Sequence, residues 1–257
     1  MFSLLSLSGV KCFRQSDYHD IILNRVNKVR PGFIDYVTHL ERILRNNIKL
    51  RYIPKEFLTF EICEIAVRKR GRNLKWVPHQ FKTEEICKIA VSNYGNALRH
   101  VPWKLKTVEI CKLAVNNNCN VLFYVPYKFK TEEICRISVL RDGATLRYVP
   151  DEFKTVEICK LAVSNVCNVF VHVPYKFKTE EICRIAVSQS GALLRYVPDE
   201  FKTAEICKLA IKTYTLALYH IPRDLITEEI CRMAVKLDRF AIYFIPDKIK
   251  KSKSWQI

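Results

Sequence analysis

Six lysines, Lys82, Lys106, Lys130, Lys154, Lys178 and Lys202, recur with a 24-residue period, each directly before a threonine. Eight ring-bearing residues, Trp76, His100, Tyr124, Tyr148, His172, Tyr196, His220 and Phe244, keep the same period directly before a Val-Pro or Ile-Pro dipeptide. A row of ammonium groups attracts anions, and rings interleaved with cations can stack bases, so the two columns form a candidate binding surface. Its members are the six lysines together with Trp76, Tyr124, Tyr148 and Tyr196. The plainer readings are solvated charge that keeps the chain soluble and rings wedged between neighbouring units. A third column runs Glu61, Glu85, Glu109, Glu133, Glu157, Glu181, Glu205 and Glu229, followed three residues later, from Glu85 on, by Lys88, Lys112, Arg136, Lys160, Arg184, Lys208 and Arg232. Opposite charges at i,i+3 on one helix face satisfy each other for a few tenths of a kcal/mol. The sharper alternative is a strip of alternating charge that recognises a matching partner.

Nothing comparable points to catalysis. Cys63, Cys87, Cys111, Cys135, Cys159, Cys183, Cys207 and Cys231 hold one place in every unit, but no histidine recurs beside them and no C-x-x-C occurs. There is no glycine-rich phosphate loop, and the histidines of the ring column fall in separate units, which gives a metal site little support. The expectation is a non-enzymatic protein without cofactor, metal or small-molecule substrate.

The elements that position these columns follow from the period itself. Pro54, Pro78, Pro102, Pro126, Pro150, Pro174, Pro198, Pro222 and Pro246 form an evenly spaced ladder, and a fixed short period marks units too small to bury an apolar face alone. In the unit PYKFKTEEICRIAVSQSGALLRYV from Pro174, Thr179 is placed to cap a helix that begins at Glu180, with Glu180 and Glu181 at its positive end. Ile182 with Ala186, and Cys183 with Val187, share one face at i,i+4, while Glu181, Arg184 and Ser188 fall opposite. Gly191 reads as a left-handed C-cap, followed by a shorter helix that Pro198 stops and by a turn in which Phe201 staples the next helix. The L-x-L strand and asparagine ladder of leucine-rich repeats are missing. The units from Pro126 and Pro174 agree at nineteen of 24 positions, which indicates a duplicated 48-residue pair whose odd and even members present different faces. Cys119 and Cys167 stand where Gly95, Gly143 and Gly191 stand elsewhere, which implies a different helix ending.

Composition sets the remaining bounds. The formal charge is +17, but residues 1–53 hold nine Lys or Arg against four acids and residues 246–257 four against one. The eight repeats therefore carry only about one net positive charge each, which favours a protein partner over nucleic acid. Eight cysteines at an equivalent interior position read as small buried hydrophobes with reduced thiols. The start MFSLLSLSGVKC lacks a basic n-region, and no run reaches the ~20 apolar residues of a membrane span. A cytoplasmic, non-secreted protein without membrane contact is expected.

The phrase VP-x-x-F-K-T-x-E-I-C-x-x-A-V followed by L-x-Y-V-P resembles short tandem repeats of unknown function that are numerous in mimivirus-type giant viruses and occur in some intracellular bacteria. The resemblance covers Pro54 to about Pro246. It implies a helical array with no established activity, encoded by a giant virus and working in host cytoplasm or in the particle. The fold expected is all-α, a right-handed helical-repeat solenoid of 24-residue helix-turn-helix units with a 48-residue supra-period. Its parts are an N-terminal helical, partly ordered segment over 1–30, with a helix around Tyr18 to Val29, a degenerate capping repeat over 31–53, eight repeats over 54–245 and a basic C-terminal tail over 246–257, solvated from Lys248 on. The expected function is an interaction scaffold that binds another protein; the alternative is a sequence-tolerant RNA or single-stranded DNA binder using the lysine rail and the rings.

Overall fold

The structure, a computed structural model, describes residues 33–45, 50–252 and 255. Segment 1–30 and its expected helix lie outside the described residues. Among the described residues every regular element is an α-helix or a 3-10 helix.

Each repeat is built from the same local chemistry. The helix Glu180–Gln189 starts where the sequence places it, because Thr179 is extended and its hydroxyl accepts from the Ile182 amide at 3.4 Å. Thr59, Thr83, Thr107, Thr131, Thr155, Thr203 and Thr227 cap their ten-residue helices in the same way, at 3.2–3.3 Å. Ile182, Cys183, Ala186 and Val187 face inward and are fully buried.

The shorter helix expected after the α-helix of each repeat is found. It is a 3-10 helix of six residues, Gly191–Tyr196, and a second one of three residues, Asp199–Phe201, opens directly after Pro198. Only six residues separate the extended Ser190 from Val197, and the proline forces Val197 out of helical geometry. Six residues barely nucleate an α-helix, so the amides bond three residues back, as Val197 does to Leu194 at 3.1 Å.

Gly191 is not a left-handed cap. The helix ends at Ser190 with φ −151° and ψ 107°, and the glycine is needed for contact: a Cβ on it would lie 2.1 Å from the Ala210 carbonyl oxygen of the next repeat. Gly143 meets the Ala162 carbonyl and Gly71 the Ala90 carbonyl at 2.3 Å in the same manner. Nor do the cysteines in the glycine position change the ending, since Asn118 before Cys119 has φ −143° and ψ 109°, like the residues before the glycines.

The chain divides into two compact units, Met1–Lys106 and Thr107–Ile257. In the first, the helices Phe33–Leu44, Phe60–Lys69 and Glu84–Asn93 pack in succession, as do the 3-10 helices Leu50–Tyr52, Gly71–Trp76 and Gly95–His100. In the second, six α-helices from Val108–Asn117 to Glu228–Leu237 stack each on the next, and six 3-10 helices from Cys119–Tyr124 to Arg239–Phe244 form a parallel second row. Each unit is thus a helical-repeat stack with an α layer and a 3-10 layer. Between the layers lie the Ile, Cys, Ala and Val side chains of the α-helices and the inner residues of the 3-10 helices, Leu146, Phe170 and Leu194 among them.

Successive repeats are also tied through the open carbonyls at helix ends. The Asn165 amide donates to Leu140 O at 3.2 Å, Gln189 to Ser164 O at 3.2 Å and, in the first unit, Asn93 to Arg68 O at 3.1 Å. The last stretch departs from the expected solvated tail: Asp247–Lys250 is helical, and Trp255 is buried with the Arg232 guanidinium 5.7 Å above its ring. Among the described residues no helix is long and apolar enough to cross a membrane.

Candidate interaction surface

The lysine rail does not form a free row of charge. All six lysines are half-buried in the turn before the Thr cap. Lys82 donates to His100 O at 3.1 Å, Lys130 to Tyr148 O at 2.7 Å and Lys178 to Tyr196 O at 2.8 Å, each reaching 18 residues ahead to a carbonyl at the end of a 3-10 helix. Burial lowers the pKa of all three. Lys154 and Lys202 turn back instead to Asp151 and Asp199, each at 2.8 Å. The two behaviours alternate because the 48-residue pair carries Tyr-Lys-Phe after one proline and Asp-Glu-Phe after the next. Only the second offers a carboxylate three residues before the lysine. The other acid of that triplet is taken as well, since the Tyr127 hydroxyl donates to Glu152 at 2.9 Å and Tyr175 to Glu200 at 2.8 Å. These bonds to a carboxylate raise the pKa of both phenols.

Most of the Lys/Arg column is also consumed, at Lys88 and Arg232 by a glutamate four residues earlier on the same helix, at 3.0 and 2.8 Å, and elsewhere by the next helix rather than at the i,i+3 spacing. Lys112 pairs with Glu133, Arg136 with Glu157, Lys160 with Glu181 and Lys208 with Glu229, at 2.5–3.9 Å. Each base reaches forward to the following helix, because helices stacked side by side bring the next glutamate closer than the one on the same helix. The α layer of the second unit therefore carries a ladder of paired charge with one gap, since no carboxylate pairs with Arg184 among the described residues.

Its 3-10 layer is different. Tyr124 and Tyr196 of the expected ring column are exposed, and Tyr148 is half-buried. The Arg147 guanidinium lies 5.1 Å from the Tyr148 ring centroid and Arg195 lies 4.6 Å from that of Tyr196. In the first unit Trp76, 41% exposed, has Lys75 over it at 4.7 Å. Sequence reasoning missed four residues beside the rings, three of them in alternate repeats and Tyr243 in the last: Phe123 is 61% exposed, Val171 42%, Tyr219 66% and Tyr243 74%. One position along the second unit thus reads Phe123, Arg147, Val171, Arg195, Tyr219, Tyr243. The 48-residue duplication was the signal that could have found this alternation.

None of the six-residue 3-10 helices of this unit contains an acid. Among the described residues no carboxylate pairs with Arg147 or Arg195. The His220 pKa is lowered first by burial and then by Arg195 and Lys202. The layer is a strip of uncompensated guanidinium alternating with exposed apolar side chains, a composition that protein interfaces favour.

Burial raises the thiol pKa to about 11 at Cys63, Cys87, Cys135, Cys159, Cys183, Cys207 and Cys231, and all eight cysteines of the column are buried and none is in a disulfide.

Comparison with family models finds a match to one family, described as "Domain of unknown function (DUF4116)", at residues 59–106, 107–154, 155–202 and 203–250. Each match covers two successive repeats, so the family's unit is the pair and it starts at the Thr cap. Comparison with curated proteins finds no match, and neither does comparison with solved structures.

Proposed function

The chain belongs to that family of domains of unknown function, and from this premise we propose that it is a non-enzymatic interaction scaffold that binds another protein through the 3-10 layer of its repeats. The observation that carries the reading is the contrast between layers: on the α layer Lys112, Arg136, Lys160 and Lys208 each pair with a glutamate of the next helix, while Arg147 and Arg195 stand without a carboxylate among exposed apolar residues. Buried thiols that stay protonated at neutral pH are poor nucleophiles, which supports the absence of enzymatic chemistry. The nucleic-acid alternative loses its main element, since five of its six lysines are held by carbonyls or aspartates. Origin in a giant virus rests on the motif resemblance.

Selection of displayed protein fragments against the purified chain tests this reading. Binders should lose about tenfold or more in affinity, about 1.4 kcal/mol, against F123D and Y219D and retain it against R136Q on the α layer. Binders that follow R136Q and ignore the other two would overturn it.

A further inference from the structure

We infer that the 3-10 layer of the second unit takes an extended acidic peptide segment, its carboxylates held by Arg147 and Arg195 and its apolar side chains lying against Phe123, Val171 and Tyr219. The inference rests on the scaffold reading and adds the chemistry of the occupant. A guanidinium recognises a carboxylate through paired in-plane N–H donors, and lying on a ring, as Arg195 lies on Tyr196 at 4.6 Å, leaves those donors available. Charge complementarity supplies the sign: the six 3-10 helices hold no acid, and the nearby Asp151, Glu152, Asp199 and Glu200 are already bonded to Lys154, Tyr127, Lys202 and Tyr175.

The periodicity supplies the spacing. Arg147 and Arg195 are two repeats apart, and stacked helices stand about 8–10 Å from one another, so the guanidiniums lie ~16–20 Å apart. An extended chain rises about 3.3 Å per residue and covers that distance in about five or six residues. Val171 lies between the two arginines and Tyr219 beyond the second, each one repeat from its neighbour. The fitting segment therefore has acids five or six residues apart with apolar residues between.

Single-stranded nucleic acid fits less well. It carries a charge every few ångströms, about 3.4 Å per strand in a duplex, whereas this strip offers an unpaired cation only at every second repeat. The rings are also poor stacking platforms. Phe123 is edge-on to Tyr124 and Tyr148 at 5.2 and 5.3 Å, and Tyr148 and Tyr196 are covered by their arginines.

The test is fluorescence anisotropy on the full chain with three labelled probes of about 14 units: a peptide with Glu six residues apart and Leu or Ile between, the same peptide with Gln, and oligouridylate. The Glu peptide should bind about tenfold or more tightly than the Gln peptide, and the R147Q/R195Q double variant, with helicity unchanged by circular dichroism, should abolish that difference. Equal binding of both peptides, lost in F123D, would overturn the acidic specificity while leaving the scaffold reading standing. Binding of neither peptide, while displayed binders still map to Phe123 and Tyr219, would overturn the occupant alone. Uridylate binding tighter than the Glu peptide and lost in R147Q/R195Q would replace it with a nucleic acid.

Discussion

The α and 3-10 layers of residues 107–257 are built by one repeat, yet they treat charge in opposite ways. On the α layer Lys112, Arg136, Lys160 and Lys208 each find a glutamate one helix further on. On the 3-10 layer Arg147 and Arg195 find only their own tyrosines. The contrast teaches that a column of basic residues is not by itself a binding surface. What matters is whether the stack supplies the opposite charge, as it does where Glu133, Glu157, Glu181 and Glu229 open the neighbouring helix.

The largest expected effect breaks the interior beneath both layers. Buried thiols with a pKa of about 11 against an ordinary value of 9.0 stay protonated in the folded chain while those of the unfolded chain ionise. Their contribution is fully present below pH 9 and is lost as pH rises toward 11, by up to about 1.4 kcal/mol per pH unit for each thiol, summed over the column. Urea unfolding at stepped pH should show this slope, and a C159A/C183A variant should flatten it by about two thiols' worth. An unchanged slope would mean that the thiols are not buried.

The next effect separates the inner and outer sides of one 3-10 helix. Phe170 is fully buried and Val171 beside it is exposed. Phe170→Ala should cost about 3–5 kcal/mol, and Val171→Asp should change stability by no more than about 0.5 kcal/mol. Comparable losses in thermal unfolding would contradict the two-sided 3-10 layer.

A smaller difference distinguishes alternate repeats. Lys130→Met strips the Tyr148 carbonyl of its donor and should cost about 1–3 kcal/mol. Lys154→Met removes only a pair with the exposed Asp151 and should cost less. Reversal of that order in denaturant unfolding would refute the alternation of lysine roles.

The smallest effect sharpens the α layer. Lys160→Gln should cost about 0.2–1 kcal/mol through loss of its pair with Glu181, and the loss should vanish as salt is raised. A cost that persists at high salt would indicate packing of the lysine stem rather than charge.

Much of the fold was legible because it rests on near neighbours in the chain. The Thr cap, the two glutamates after it and the i,i+4 apolar pairs predict the helix Glu180–Gln189 and its buried face, and both are found. The 3-10 character of Gly191–Tyr196 was less visible, since a short apolar run before proline reads equally as a turn of α-helix. Of the candidate surface, Tyr124, Tyr148 and Tyr196 were singled out by position, but Phe123, Val171 and Tyr219 were not, because exposure is a property of the stack.

The sequence by itself determined the period, the Thr N-caps, the helix starts and the inward cysteine column, all consequences of short-range contacts along the chain. Tertiary structure alone decided which charges are spent. The partner of Lys130 lies 18 residues away, that of Lys208 lies 21 and that of Tyr175 lies 25. Such pairings depend on how one repeat is laid against the next, and so does the need for glycine at 191, where the Ala210 carbonyl occupies the space a side chain would fill.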